Sequence, residues 1–299
     1  MKNKSIAITA LFSACLLTSS FVPNAFAHPD PKHSSFKKHV HSESRSPRAL
    51  TSKQIFFNGY CVDVSINITD GGAVYGKSNQ CAADSLPSRS VVAGHISTIE
   101  GVPNAIVISG HFGNLLYGPD ASNRYRPIVI AIFPDNTFKA YSASYSGYLS
   151  GIDLIANGTW SNTRRRSRLP LRPFGSRVVK RVASKSTSLR TFQINAYCKI
   201  EARITDGLVV AIPTGFFGRY SCTSSYISGG VVVSGVNGIS DGAIVLHHIA
   251  APGVHPMTSG ENHLHYLLSN NVWRTYHVSA LSLNLTGQGT YWESLAPRP

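Results

Sequence analysis

Short apolar runs alternate with turn-forming residues along most of the chain after residue 54. The runs are rich in Val, Ile, Thr and Tyr, and Gly, Asn, Asp or Pro separates them. β-branched and aromatic residues favour strands, whereas the separating residues favour turns. No stretch keeps an apolar period of about 3.6 residues between helix caps. The pattern therefore predicts an all-β protein of antiparallel strands.

The same series of sequence anchors occurs twice in the chain. The segments Asn58–Cys61 and Ile68–Gly71 return as Asn195–Cys198 and Ile204–Gly207. An apolar run, a hairpin-like unit and a Gly-Thr-aromatic close follow in the same order in both copies. Such repetition indicates duplicated structural units. We expect two tandem, homologous modules, each an antiparallel β-sandwich or a small β-barrel with its own core. The modules are expected at residues 54–162 and 191–299.

The cysteines follow the same repeat. Cys61 and Cys81 belong to the first copy, and Cys198 and Cys222 belong to the second. The repeat selects these two pairings, so one disulfide is expected in each module. Each bridge would stabilise the fold by roughly 2–4 kcal/mol by restricting the unfolded chain. Four thiolates on zinc would require short Cys-x-x-Cys spacings, which the sequence lacks.

Residues 1–27 have the pattern of a signal peptide. Lys2 and Lys4 precede an apolar stretch, and the small-x-small triplet Ala25–Ala27 marks a cleavage site before His28. A lipoprotein box at Phe12–Cys15 is the rival interpretation. No other segment approaches about 18 uninterrupted apolar residues. We therefore expect a secreted or periplasmic protein with no integral membrane segment after cleavage.

Two polar segments carry much of the positive charge. Residues 28–53 form a tail rich in His and Lys, and residues 163–190 form a linker with ten Lys or Arg and no acidic residue. Both are expected to be disordered or flexible. With a formal net charge of +14, the chain suits an anionic partner such as a polyanion or a charged glycan, without sequence specificity for nucleic acid. The alternatives are a spacer whose charge only keeps the protein soluble and a cut site for trypsin-like proteases that separates the modules after export. The candidate linker ligands are Arg164, Arg165, Arg166 and Arg168.

Histidines distinguish the second module from the first. Glu261, His263 and His265 share one face of an expected strand, and His277 lies on its hairpin partner. The aligned positions of the first module are Ile128, Ile130 and Ser142. Imidazoles and a carboxylate on one face could bind zinc or another transition metal and leave a coordination position for water. An exposed polar face and a polar pocket without metal are the alternatives.

Aromatic residues provide two further expectations. Lys139, Tyr141 and Tyr145 share a strand face that suits a sugar or base ligand, although sheet packing would use the same spacing. Trp160 and Trp292 close the two copies, and we expect them to plug the cores; stacking on a ligand is the alternative.

The leading functional hypothesis is a non-catalytic binding protein for an extracellular ligand, such as a glycan or another polyanion. A metal-dependent hydrolase using the module 2 histidines is the first alternative, and a secreted virulence or adhesion factor acting through protein contacts is the second. No Gly-x-Ser-x-Gly elbow, phosphate loop or free thiol points to another chemistry. A non-enzyme without a cofactor is favoured, and the sequence leaves the oligomeric state open.

Overall fold

A computed structural model describes a large part of the chain and shows β-strands throughout that part. The described residues are 47–79, 89–110, 128–146, 149–164, 171–172, 174, 180–181, 187–195, 198–215, 228–236, 239–250 and 261–295. The all-β prediction is confirmed. Within these ranges, no helix is long and apolar enough to cross a membrane.

The first sheet closes on itself as a barrel, which we call barrel 1. Strands one to eight pair antiparallel in chain order, and the first also pairs with the eighth. The ninth strand adds to the eighth. The strands are β1 (Ala49–Phe57), β2 (Asp63–Thr69), β3 (Ala73–Asn79), β4 (Arg89–Ile99), β5 (Val102–Gly110), β6 (Ile128–Ile132), β7 (Thr137–Ser146), β8 (Leu149–Ser161) and β9 (Lys180–Arg181).

The second sheet repeats this order and is nearly closed; we call it barrel 2. Its two edge strands are separated in the chain by Tyr291 alone, so the chain passes from one edge of the sheet to the other. The sequence left sandwich and barrel open, and the structure shows barrel-like sheets. The strands are β10 (Thr187–Asn195), β11 (Cys198–Thr205), β12 (Leu208–Gly215), β13 (Ser228–Val236), β14 (Ile239–Ala250), β15 (Glu261–Leu267), β16 (Val272–Val278), β17 (Leu283–Thr290) and β18 (Trp292–Leu295).

Strand alternation fills the interior of barrel 1 with branched apolar side chains. In β2, for example, Val64 and Ile66 are buried, whereas Ser65 and Asn67 between and beyond them are only half-buried. Successive side chains of a strand point to opposite faces, so every second residue enters the interior. The interior core combines these residues with others from all eight strands, among them Phe57, Ile108, Ile130 and Phe138.

Glycines at equivalent positions of β4 and β13 show that the two barrels share one backbone plan. A Cβ atom on Gly94 would lie 1.9 Å from the carbonyl oxygen of Val107, and one on Gly230 would lie 2.0 Å from that of Val245. Neither strand can carry a larger residue there, because the obstructing atoms belong to the backbone. The internal repeat predicted from the sequence is therefore visible in the strand packing.

The outer faces of the two barrels pack against each other over one continuous apolar core. Val107 and Val129 of barrel 1 belong to the same buried cluster as Val231, Val245 and Leu264 of barrel 2. Strand β4 of barrel 1 contacts its counterpart in barrel 2, β13. Strand β4 also contacts β14 and β15, and in the same way β13 contacts β5 and β6. This arrangement is approximately two-fold symmetric, like the interface of a homodimer. Both barrels lie in the same compact unit, residues 44–299.

Candidate functional site

A shallow depression on barrel 1 lies between the β1–β2 turn, β8 and the start of the linker. We call it the linker cradle. Asn58 holds the turn onto β8, because its Nδ2 donates to Thr159 Oγ1 (2.9 Å) and its backbone N–H donates to the Thr159 carbonyl (2.9 Å). Ser161 Oγ donates mainly to the Thr163 carbonyl (2.7 Å) and more weakly to Asn58 Oδ1 (3.2 Å). The depression has a volume of about 260 Å³, and its lining residues are Phe56–Asp63, Thr159, Arg164 and Leu171.

The linker forms one wall of this cradle. Arg172 pairs with the turn through two backbone bonds: its N–H donates to the Gly59 carbonyl (3.1 Å), and its carbonyl accepts from the Cys61 N–H (2.9 Å). Two residues later, Phe174 is buried in the core of barrel 1 beside Tyr60, with ring centroids 5.1 Å apart. This part of the basic segment is thus fixed to the barrel.

Charges of both signs meet at the cradle. Arg164 lines it and is exposed, and the guanidinium of Arg172 lies over the ring of Tyr60, with its carbon 5.6 Å from the centroid. Asp63 Oδ1 accepts hydrogen bonds from Asn79 Nδ2 (2.7 Å) and from Gln54 (3.2 Å). A guanidinium at the rim and aromatic and polar groups at the floor can hold an anionic or sugar-like ligand. Arg165, Arg166 and Arg168, also predicted as ligands, lie outside the described residues.

Tyr141 and Lys139 lie on the outer face of barrel 1, beside barrel 2. Tyr141 is only 4% exposed, and its hydroxyl donates to Glu100 Oε1 (2.9 Å). Lys139 forms an ion pair with the same carboxylate. Burial, followed by the Glu100 charge, raises the pKa of Tyr141. Its ring packs in the core between the barrels, so it offers no open face for stacking; the side chain of Tyr145 lies outside the described residues.

The predicted histidine cluster lies inside barrel 2. His263 pairs in register with His277, as Ile128 pairs with Ser142 in barrel 1. The ring of His263 lies 5.8 Å from that of His265 and 6.0 Å from that of His277, measured between centroids. The sequence therefore predicted correctly that these three side chains lie close together.

His265 is half-buried among its neighbours, and its pKa shifts in the direction that burial requires. Burial, and secondarily the neighbouring His263 and His247, lowers the pKa of His265 to about 3. The His265 Nδ1 atom lies 2.8 Å from Thr275 Oγ1. A neutral imidazole with a hydroxyl partner is what a buried polar position requires.

A metal centre in this cluster stays a prediction. Among the side chains that the structure describes, no group of three or more His, Cys, Asp or Glu is arranged to hold a metal ion. The side chain of Glu261 lies outside the described set, as does that of His248, whose backbone pairs with His263. Cys61 is disulfide-bonded, but the two predicted pairings stay predictions, because Cys81, Cys222 and the side chain of Cys198 lie outside the described set.

One aromatic position differs from the sequence expectation. Trp160 packs partly buried against the core of barrel 1, and its Nε1 donates to the Phe133 carbonyl (3.0 Å). In barrel 2 the corresponding place belongs to Tyr291, which is 1% exposed and donates its hydroxyl proton to the Leu268 carbonyl. Trp292 is 78% exposed, so the prediction that it plugs the core is wrong.

No family model, no curated protein and no solved structure matches this chain significantly. Function must therefore be argued from the geometry of the chain itself.

Proposed function

We propose that this chain is an exported, non-catalytic binding protein for an anionic glycan or a related polyanion, and that the linker cradle is its anion-binding subsite. The observation that carries this proposal is the position of two arginines: Arg164 lines the depression, and Arg172 is bonded through its backbone to the β1–β2 turn that also lines it. The chain has 28 Lys and Arg against 14 Asp and Glu, so long-range attraction supports the local arrangement.

The architecture supports binding more than catalysis. The N–H and the carbonyl of Arg172 both bond the β1–β2 turn, and the guanidinium of this residue lies over the Tyr60 ring. The side chain is therefore in place before a ligand arrives. A preorganised side chain loses less conformational entropy on binding. Arginine also presents a planar fork that matches carboxylate, sulfate and phosphate groups.

The test measures binding of the mature protein to a sulfated polysaccharide and to uncharged dextran at increasing NaCl concentrations. Arg164→Gln and Arg172→Gln should each weaken binding of the sulfated chain. Each should also lower the slope of log affinity against log salt by roughly 0.7–0.9, the value for one lost cation–phosphate contact in nucleic acids. Lys53→Gln removes the same charge from an exposed position on β1 and is the matched control.

Three outcomes would contradict the proposal. Equal losses in Lys53→Gln and in the arginine variants would show attraction by net charge alone, without a site. Equal binding of dextran and the sulfated chain would exclude an anion-binding subsite. No binding of the sulfated chain at low salt would exclude the polyanion as a ligand class.

A further inference from the structure

We propose that barrel 2 carries a second ligand surface, a saccharide-stacking face centred on Trp292. The Trp292 face consists of Trp292, Gln193, Lys199, Thr191 and Glu201. It deepens the proposed function and rests on it in one respect, namely that the ligand is a glycan: the cradle holds an anionic group, whereas this face holds an uncharged sugar ring.

Trp292 is exposed because both of its chain neighbours are anchored inside barrel 2. Tyr291 is buried, and its ring meets that of Phe192 edge-on, with centroids 5.2 Å apart. Glu293 forms a two-pronged ion pair with Arg190, in which Nη2 donates to Oε2 at 2.7 Å. Alternation along the strand then turns Trp292 to the outer face. The indole is therefore held by structure on both sides, as a rigid platform requires.

Strand register aligns polar side chains beside the indole. Trp292 pairs with Gln193, and Gln193 pairs with Lys199 on the next strand. With strands about 4.8 Å apart, these three positions form a row roughly 10 Å long. Thr191 and Glu201 form a parallel row two residues along the same face. Lys199 Nζ donates to Glu201 Oε1 at 2.8 Å, which joins the two rows.

The composition of the Trp292 face favours a sugar over a protein or a membrane. A membrane contact requires a contiguous apolar patch, and the centre of a protein interface is usually more apolar than its rim. Here one large aromatic side chain is surrounded by an amide, a hydroxyl, an ammonium group and a carboxylate. An aromatic ring can stack on the C–H face of a pyranose while such polar groups bond its hydroxyls.

Barrel 1 lacks this feature at the corresponding position. The backbone N–H of Trp160 donates to the Asn136 carbonyl, and that of Tyr291 donates to the Asn271 carbonyl. Trp160 and Tyr291 therefore occupy equivalent positions in the two barrels. The equivalent of Trp292 is then Ser161, whose hydroxyl bonds Asn58 at the cradle. The duplicated position thus supports an anion-binding subsite in one barrel and an aromatic platform in the other.

The test uses the full mature chain and a panel of uncharged hexasaccharides with glucose, N-acetylglucosamine, mannose or galactose units. Tryptophan emission and calorimetry report binding. At least one hexasaccharide should shift the emission and bind with an affinity that is independent of salt. Trp292→Ala should weaken this binding about tenfold, which corresponds to roughly 1.4 kcal/mol and lies within the range known for stacking of nucleic-acid bases on aromatic side chains. Leu281→Ala removes another exposed apolar side chain, 85% exposed, and it should leave binding unchanged.

The outcomes separate this inference from the proposed function. If no hexasaccharide binds, or if Trp292→Ala binds as tightly as the parent chain, the inference about the Trp292 face is wrong. This holds even if binding of the sulfated polysaccharide still requires Arg164. Salt-independent binding that is lost in Trp292→Ala retains the face, even if Arg164→Gln has no effect on any ligand and the cradle is thereby excluded.

Discussion

His95 is a titratable side chain in the apolar core between the two barrels. It is 4% exposed, and its ring meets that of Tyr266 of barrel 2 edge-on, with centroids 5.9 Å apart. Its Nδ1 lies 2.7 Å from the Ile96 carbonyl, and because a carbonyl can only accept, Nδ1 carries the proton. The Nε2 atom is buried without a hydrogen-bond partner. Burial lowers the pKa of His95 below 6.5, so the ring is neutral in the folded protein.

The free energy of unfolding should depend on pH through this residue. Because the folded-state pKa lies below the unfolded value of 6.5, the unfolded chain binds more protons in acid. The contribution of neutral His95 is complete above pH 6.5 and is lost as the pH falls below it, by up to about 1.4 kcal/mol per pH unit. His95→Val copies Val231, the equivalent residue of barrel 2, and should reduce the slope of this dependence, measured by urea unfolding between pH 7.5 and 5; a slope remains because burial also lowers the pKa of His265.

A non-titrating neighbour provides the control for this measurement. Ser97 lies on the same strand, and its hydroxyl donates to the Val232 carbonyl across the interface (2.6 Å). Ser97→Ala should lower stability by about 1 kcal/mol at every pH and leave the slope unchanged. Parallel pH curves for His95→Val and the parent chain would contradict the assignment.

Strand patterns predicted more of the fold than of its packing. The alignment of His263 with Ile128 correctly matched two positions that have the same register in their barrels, but it left open whether the histidine lies on an exposed polar face. The contact between barrels was missed, although β6 carries a signal for it: Val129 and Ala131 are as apolar as Ile128 and Ile130 on the opposite face. A strand that is apolar on both faces is covered on both faces. Periodicity does not identify the covering element, because that contact joins residues far apart in the chain.

The structure of the linker was harder to predict, because its composition favours a flexible segment, whereas one buried aromatic ring fixes part of it to barrel 1. Ten positive charges among residues 163–190 favour a flexible segment, but a single aromatic residue ties part of it down. Phe174 is 2% exposed and lies in a cluster of rings with Phe57, Tyr60 and Phe138. One buried ring in a polar segment gives no periodic signal.

Phe174→Ala should therefore affect both barrel 1 and its linker. Loss of the buried ring should reduce the free energy of unfolding by about 3–5 kcal/mol, the usual range for a buried Phe. It should also free the chain around Arg172, so that limited trypsin digestion cuts there faster. Trp292→Ala, which truncates an exposed ring, should change neither quantity. Unchanged digestion in Phe174→Ala would show that this ring does not hold the linker.

The two barrels form one structural body, because the apolar core between them is continuous. Polar bonds also cross this contact: His247 Nδ1 donates to the Ser109 carbonyl (2.7 Å), and Ser97 Oγ donates to the Val232 carbonyl. The near two-fold pattern of strand contacts is what an ancestral homodimer of single barrels would leave after duplication and fusion. In that case the strongest steric constraints on divergence should lie where the two barrels approach most closely.

Gly229 is such a position, and it provides a test of the packing between barrels. A Cβ atom on Gly229 would lie 2.6 Å from Ser109 Oγ and 2.7 Å from Val129 Cγ2, both in the other barrel. Gly229→Ala should therefore destabilise the protein by about 1–3 kcal/mol through overpacking. Adding Ser109→Ala and Val129→Ala removes both obstructing atoms and should recover part of this loss, as a double-mutant cycle measures. Gly242→Ala has room, since its nearest neighbour would be 3.6 Å away, and should be tolerated. Independent effects at Gly229 and the two barrel 1 positions would mean that the barrels do not pack in this way.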